Sequence, residues 1–427
     1  MLSVLKRKIL ILKHYHRISL SGHIQLTQLN TTKRSTHPFQ WLEPLHGNCK
    51  WNQTIKEAKQ AVGYSTTNLS LRWILNDDLS ILKNKIDKSQ HPLLKNIKFL
   101  LKTEESAVHI WGLIILLLSG AAGHKEICTD SSGGVLHSQR NLAEITQLIL
   151  KSQIIHFNLL NLQKTTRAGQ DVESYKDFLV GNKIALLFGD LLLGGSVLEL
   201  SQLRNQEIVG LIMAGIRNIA DGEFLGIRDE QNYPLPWRAQ SSNGSYDVRT
   251  PIDADCSIEP LNIAEVRGNA ELEWELRNVL NGGSLLGNAC KSAMILAKHN
   301  TDVQNEAYLF GKHFHLAWQS SIDLMTFMPT NNVEDPPCFS LVSAPVLYHL
   351  ENDPSLCDEI EKGKENVENV NYEKVRNIIL RGPGLIKTEQ LYRKHQEAVL
   401  NCLSKFKNND ARNALKNMIL CLNKRCE

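Results

Sequence analysis

The sequence predicts an all-α protein, a bundle of helices around a central cavity. Helical periodicity of apolar residues dominates the 427 positions, and no series of alternating strands joined by hairpin turns is found. A hydrophobic fraction of 42% is enough for a large buried core. One helix, predicted over 140–163, contains no glycine or proline and is apolar around most of its circumference, so it should be central.

The other helices follow from the same spacing. They are predicted over 55–62, 69–86, 91–102, 106–121, 180–201, 204–223, 270–299, 302–327, 340–351, 371–380, 386–406 and 409–424. The most apolar stretch, Ile110–Leu118, is too short to span a bilayer, so it predicts a core helix and no transmembrane segment.

The central helix carries a polar stripe at helical spacing. Two interpretations fit this stripe: it lines an internal cavity, or it faces solvent on an ordinary bundle helix. Its members are Glu144, Gln147, Lys151, Asn158 and Asn161.

The first 42 residues are basic and contain no acid, since the first one is Glu43. This pattern predicts a mitochondrial transit peptide, with a disordered basic tail as the alternative. Residues 43–427 are then one helical domain with an inserted loop at about 226–260, a stretch rich in polar residues. The net charge of +3 and the lack of a basic, aromatic-flanked patch do not favour nucleic-acid binding.

Six segments together carry a family resemblance. They are QRNLAEITQLI (139–149), GNKIALLFGDLLL (181–193), ACKSAMILAKHN (289–300), VQNEAYLFGKHFHLAWQ (303–319), SAPVL (343–347) and ARNALKNMI (411–419). In order and spacing they resemble the trans-prenyl diphosphate synthase family, and within it the second, degenerate subunit of heteromeric long-chain enzymes. The resemblance implies an isoprenoid synthase-type helical bundle.

Enzymes of that family ionise an allylic diphosphate held by Mg²⁺ between two DDxxD motifs. Carboxylates at i and i+4 share a helix face and so reach the same ions. At the first motif this chain has Phe157, Asn158 and Asn161, and no carboxylate remains. Neutral asparagine cannot replace the charge that draws Mg²⁺ from water.

The second motif falls at Ile322, Asp323 and Thr326, where one carboxylate remains. The family's substrate-binding Lys-Thr step aligns with Asn281 and Gly282. The resemblance therefore implies a chain with no catalytic residue and no bound metal or other cofactor, with Mg²⁺ held by a catalytic partner. Asp323, without its companions, is interpreted as structural.

Four further positions retain the family residue: Arg167, Lys183, Asp190 and Gln319. Asp190 lies in the apolar run IALLFGDLLL, which predicts a buried carboxylate with either a site role or a structural one. Gln319 is either a core glutamine or a substrate contact.

The expected function is that of a non-catalytic or regulatory subunit in the mitochondrial matrix. Its partner would be a catalytic polyprenyl diphosphate synthase chain. The complex would make a polyprenyl diphosphate, which we expect to be decaprenyl diphosphate, for the tail of ubiquinone. Part of the 140–163 helix is expected to contact that partner. The alternative is a lipid-binding or scaffolding protein on a retired synthase fold, without a synthase partner.

Overall fold

The computed structural model describes residues 49–62, 94, 110–124, 131–132, 134–159, 172–237, 266, 268–328 and 339–422. One short antiparallel hairpin, β1 (Ser131–Ser132) and β2 (Val135–Leu136), interrupts an otherwise helical chain in this part. The helices are α1 (Cys49–Val62), α2 (Ile110–Ala122), α3 (His137–Phe157), α4 (Val172–Gln202), α5 (Gln206–Gly222), α6 (Ala270–Asn278), α7 (Ser284–Leu296), α8 (Thr301–Met325), α9 (Ala344–Asn352), α10 (Cys357–Glu361), α11 (Tyr372–Arg381), α12 (Gly384–Ser404) and α13 (Asp410–Cys421). The all-α prediction is confirmed.

Asparagine starts many of these helices. Its side-chain oxygen accepts a hydrogen bond from a backbone N–H of the first turn, which otherwise has no partner inside the helix. Helices α5, α6, α8, α11 and α13 begin in this way, after Asn205, Asn269, Asn300, Asn371 and Asn409.

Helix α8 lies at the centre of the bundle and packs along α7 and α12. Phe310, Phe314 and Trp318 follow one another at four-residue spacing on its buried side. Trp318 meets Trp51 of α1 with ring centroids 5.3 Å apart. The largest apolar cluster therefore joins the first described helix to the centre of the chain.

Helix α3 is buried on nearly every side, between α2, α4 and α7. Glu144, Gln147 and Lys151 are all buried, so the solvent-facing interpretation of their stripe is wrong. Burial lowers the pKa of Lys151 to about 8, and Glu144 opposes that shift. Its residues 142–155 are covered by their own chain and leave no surface for the expected partner contact, while positions 160–163 lie outside the described residues.

Several predicted helix boundaries differ from the structure, two of them in or near the candidate site. Helix α3 ends at Phe157 rather than at 163. The side-chain amide of Asn158, the residue that caps it, donates to the carbonyl of Ile154, a local bond of the kind that asparagine makes at helix ends. The predicted helix of 270–299 is divided by a wider turn over Val279–Gly283, which contains the poor helix formers Asn281, Gly282 and Gly283.

Helix α4 starts at Val172, earlier than predicted, and has an unusual outer face. Ala185, Phe188 and Leu192 pack inward against α3, whereas Leu186, Leu187 and Leu198 are exposed. Within the described residues, its stretch Phe178–Gln202 is the one helix with the length and apolar composition to cross a membrane. Helix α2, by contrast, is a buried core helix as predicted.

Candidate functional site

The second motif lies at the last turns of α8, where the structure uses all three positions for packing or bonding. Ile322 is buried in the main apolar cluster. The hydroxyl of Thr326 donates to the backbone carbonyl of Asp323 at 2.8 Å and so closes the helix end. The side chain of Ile322 has no oxygen, and the hydroxyl of Thr326 is engaged with the backbone.

Asp323 connects three helices through its carboxylate. Its Oδ2 accepts hydrogen bonds from the indole N–H of Trp274 in α6 and the backbone N–H of Ala344 at the start of α9, both at 2.8 Å. Its Oδ1 accepts one from the amide of Gln319, one turn earlier in α8, at 3.0 Å. The carboxylate thus satisfies three buried donors, two of them on other helices.

A magnesium ion does not fit these residues. Both oxygens of Asp323 are already engaged, and the residue is only 4% exposed. Burial raises the pKa of Asp323 to about 6, and the three hydrogen bonds oppose that shift. Across the described part of the chain, no group of three His, Cys, Asp or Glu side chains is placed to hold a metal ion.

This raised pKa makes the stability of the fold depend on pH. Above about pH 4 an unfolded aspartate is ionised, whereas folded Asp323 keeps its proton until about pH 6. The folded state therefore binds more protons, and the free energy of unfolding falls as pH rises through this window. The full difference is about 3 kcal/mol, since a pKa shift of one unit corresponds to about 1.4 kcal/mol.

We expect Asp323→Asn to remove this dependence, because an amide does not titrate. The new amide nitrogen can donate to Oε1 of Gln319 after that side chain flips, and Oε1 has no protein partner among the described residues. Relative to the wild type, the variant should gain roughly 1 kcal/mol between pH 5 and pH 7. Urea unfolding of both proteins at each pH measures this gain, and identical pH profiles would contradict the shift.

The first motif lies at the end of α3, and its described residues also serve packing and helix capping. Phe157 packs against the main apolar cluster, and Asn158 is the helix cap. Just before them, His156 Nε2 lies 3.3 Å from Asp190 Oδ1 of α4. Gly189 permits this approach, because a Cβ atom there would collide with the His156 ring.

The predicted burial of Asp190 is wrong: its side chain is 58% exposed. The apolar residues around it cover the outside of α4, so an apolar sequence does not mean a buried position here. Lys183 is exposed on the same helix, and Gln319 is buried beside Asp323. Asn161 and Arg167 lie outside the described residues.

A small polar cavity adjoins Asp323, between α6, α8 and the segments after α5 and before α9. Its volume is about 40 Å³, against roughly 300–1,000 Å³ for ordinary small-molecule sites. It has room for a few water molecules only. Within the described chain, four polar atoms that line it have no protein partner, and water would satisfy them: Arg228 Nε, Asn281 Oδ1, Gln319 Oε1 and Ser343 Oγ.

Two buried ion pairs lie at this cavity, and Glu223, Arg228 and Arg277 are part of its lining. Arg277 bonds Glu273 at 2.9 Å, and Arg228 bonds Glu223 at 3.1 Å. Burial raises the pKa of Glu273, and the charge of Arg277 opposes the shift. The i, i+4 spacing of Glu273 and Arg277 predicts their ion pair. No sequence pattern predicts the hydrogen bond between Trp274 and Asp323, because 49 positions separate the two residues.

Gly282 occupies the place of the family's threonine, and His315 fills the adjacent space. A Cβ atom at Gly282 would lie 2.7 Å from Cε1 of His315, which is 2% exposed and packs edge-on against Trp111. Burial lowers the pKa of His315 to about 3, so its ring is neutral at physiological pH and offers no positive charge to a diphosphate.

Gly282→Thr should therefore reduce the free energy of unfolding by about 1–3 kcal/mol, as overpacking of a filled core does. The matched control is Gly210→Thr, because a Cβ atom at exposed Gly210 meets nothing within 4 Å. Chemical denaturation of both variants measures the difference. Equal stability of the two variants would show that the space beside His315 is open after all.

The comparisons with known proteins agree with the fold and the retained segments. No family model matches the chain. It is 32% identical over 386 residues to the human all-trans-polyprenyl-diphosphate synthase PDSS2, covering 87% of each chain. It is 27% identical to the probable mitochondrial hexaprenyl pyrophosphate synthase of Yarrowia lipolytica, covering 68% of this chain and 58% of that protein.

Among solved structures, the decaprenyl diphosphate synthase from Rhodobacter capsulatus superposes with a TM-score of 0.53 at 13% identity, covering 88% of this chain and 99% of the other. This likeness shows the isoprenoid synthase-type fold. The fold is thus that of a prenyl diphosphate synthase with altered motif positions. The chain belongs to the all-trans-polyprenyl-diphosphate synthase family.

Proposed function

We propose that this chain is a non-catalytic subunit of a heteromeric all-trans polyprenyl diphosphate synthase that supplies the isoprenoid tail of ubiquinone. The observation that carries the proposal is the use of Asp323, the one carboxylate left in either motif, as a three-way hydrogen-bond acceptor within the fold. A family member that keeps its scaffold but not its metal site needs a partner to serve the same reaction.

The other former substrate positions support this proposal. Gly282 faces His315 rather than open space, and Asn158 caps α3. The cavity beside Asp323 is of water size. Each of these positions contributes to packing rather than to substrate binding. The chain would therefore serve the synthase through its shape and its surface.

The surface of the molecule also supports the proposal of a partner chain. Helix α4 exposes apolar side chains along its outer face, and such patches on soluble proteins mark interaction sites. We propose that the partner is a catalytic homologue with both DDxxD motifs intact, which holds the Mg²⁺ ions. The mitochondrial relative and the acid-free, basic first 42 residues support a mitochondrial location, in the matrix.

Co-expression of this chain with a catalytic homologue from the same source tests the proposal. We expect a stable hetero-oligomer on size-exclusion chromatography, with more incorporation of radiolabelled isopentenyl diphosphate than the homologue shows alone. A scaffold or lipid carrier without a synthase partner would give neither result. A complex without a gain in activity would also contradict the subunit proposal.

A further inference from the structure

A cleft lies between the end of α9, the first turns of α11 and the turn that leads into α12. Its volume is about 740 Å³, within the roughly 300–1,000 Å³ of ordinary small-molecule sites. Positions 374, 377, 378 and 381 share one side of α11 by their spacing, and all four line the cleft. The cleft and the small cavity beside Asp323 have no lining residue in common, so the fold forms a second space apart from the former metal site.

His349, near the end of α9, is the most buried side chain of this lining. It is 3% exposed, and neither ring nitrogen has a hydrogen-bond partner among the described residues. Its Nε2 lies 3.8 Å from Oδ2 of Asp353, which is longer than a hydrogen bond. Burial lowers the pKa of His349 and the charge of Asp353 opposes that shift, so the ring is neutral near pH 7. A neutral imidazole has one donor and one acceptor, and both are left for a ligand or for water.

Two glycines bring the turn before α12 against α9. A Cβ atom at Gly382 would collide with Nδ1 of His349, and one at Gly384 would collide with the backbone carbonyl of Pro345. Neither position accommodates a larger residue unless α9 or the imidazole ring moves. The close approach of the two segments therefore holds the imidazole at the wall of the cleft.

The lining carries charges of both signs. Arg381 is exposed, and its guanidinium has no hydrogen bond or ion pair within the described chain. Lys374, the other cation of the lining, is already bonded to Glu359 at 3.0 Å. Asp353 and Glu373 line the same space and are both exposed, and Glu373 has no ion-pair partner among the described residues. The cleft thus offers one free cation beside two carboxylates.

We propose that this cleft binds a small zwitterion, whose carboxylate or phosphate group bonds Arg381 and whose ammonium group bonds Asp353 and Glu373. A guanidinium presents paired N–H donors that match two oxygens of a carboxylate or phosphate. His349 and Asn377 supply hydrogen bonds to polar groups between the two charged ends. The helical rise of about 1.5 Å per residue places Glu373 and Arg381 about 12 Å apart along α11, so a ligand with well-separated charges fits best.

An anion with several negative charges, such as a diphosphate or a nucleotide, fits this cleft less well. The carboxylates of Asp353 and Glu373 line the same space as Arg381, and like charges placed together are costly. Unpaired charges of this kind give specificity by rejecting the wrong ligand. The cleft is therefore not a displaced diphosphate site, and the inference goes beyond the proposed subunit role.

Isothermal titration calorimetry of the isolated chain tests the charge requirement. The probes are glycine, γ-aminobutyrate and ε-aminocaproate, and the controls are butyrate and butylamine, which carry one charge each. Affinity should rise with the separation of the two charges, and ε-aminocaproate should bind about tenfold more tightly than either control, because only it engages both ends of the cleft. Equal binding of the single-charge controls, tighter binding of inorganic diphosphate than of any zwitterion, or no binding at all would overturn the proposal.

Substitutions of Arg381 test the location of the site. Arg381→Gln should weaken ε-aminocaproate binding about tenfold without lowering the melting temperature, because this side chain makes no bond within the described chain. Arg217→Gln, at an exposed arginine of α5, is the matched control and should bind like the wild type. Arg381→Glu should reverse the preference, so that the diamine cadaverine binds and ε-aminocaproate does not. Equal affinity of the wild type and Arg381→Gln would show that the zwitterion binds elsewhere.

The same chemistry occurs in free metabolites and in the headgroup of phosphatidylethanolamine, and flotation distinguishes these two sources. A free ligand predicts binding of phosphoethanolamine and no binding to vesicles. Flotation with vesicles of phosphatidylethanolamine and phosphatidylglycerol, but not of phosphatidylglycerol alone, would assign the site to a lipid headgroup if Arg381→Gln abolishes it. None of these measurements needs the partner chain, so the zwitterion site and the proposed function can fail independently.

Discussion

The purified chain alone should transfer no prenyl group when supplied with Mg²⁺, isopentenyl diphosphate and an allylic primer. Departure of the diphosphate requires its charge to be neutralised by metal ions, each worth several kcal/mol at the transition state. Five of the six motif aspartates are missing, and the sixth, Asp323, is bonded within the fold. Loss of two such metal contacts raises the barrier by roughly 8 kcal/mol, about a million-fold in rate.

Incorporation of radiolabelled isopentenyl diphosphate by the isolated chain measures this directly. The control is a catalytic homologue assayed at the same protein concentration, which shows that substrates and Mg²⁺ are competent. Turnover by the isolated chain that is abolished by a chelator would show that it holds a metal site elsewhere.

Asp323→Ala should destabilise the fold by about 3 kcal/mol, because each buried donor left without an acceptor costs about 1–3 kcal/mol. The stranded donors are the indole N–H of Trp274, the side-chain amide of Gln319 and the backbone N–H of Ala344. The loss of the ionised carboxylate at neutral pH offsets part of this cost, since burial disfavours its charge.

Asp323→Asn is the matched comparison, because it keeps an acceptor for Trp274 and Ala344 in nearly the same volume. Urea denaturation at pH 7 should find the alanine variant well below the wild type and the asparagine variant close to it or above it. Equal stability of the two variants would mean that the three hydrogen bonds contribute little to the fold. If Asp323 is structural, Mg²⁺ should leave the free energy of unfolding of the wild type unchanged in the same assay, whereas a residual metal ligand would make the wild type more stable with Mg²⁺.

Local patterns in the sequence predicted most of the fold. Helices such as α8 and α12 follow from apolar spacing, and α2 is recognisable as a core helix from its continuous apolar run. The sequence does not predict the helix break at Val279–Gly283, because a few weak helix formers do not by themselves end a helix. Whether an apolar face is covered depends on neighbouring elements, and this explains the reversed expectations for α3 and α4.

The sequence predicts which metal-binding carboxylates the candidate site lacks, but not which contacts the residues at those positions make instead. Missing carboxylates at Phe157 and Ile322 are visible in the sequence alone. The hydrogen bonds from Trp274 and Ala344 to Asp323 join segments that are far apart in the chain, so no local sequence pattern predicts them. The same holds for the contact of His315 with Gly282, although His315 stands in one of the segments that carry the family resemblance.

The exposed leucines of α4 affect the steady-state level of this protein in a cell. A chain without its partner presents Leu186, Leu187 and Leu198 to solvent, the kind of surface that chaperones and proteases recognise and that promotes aggregation. Excess copies would then be removed until they match the supply of partner. The abundance of this chain would follow the expression of the catalytic subunit rather than its own rate of synthesis.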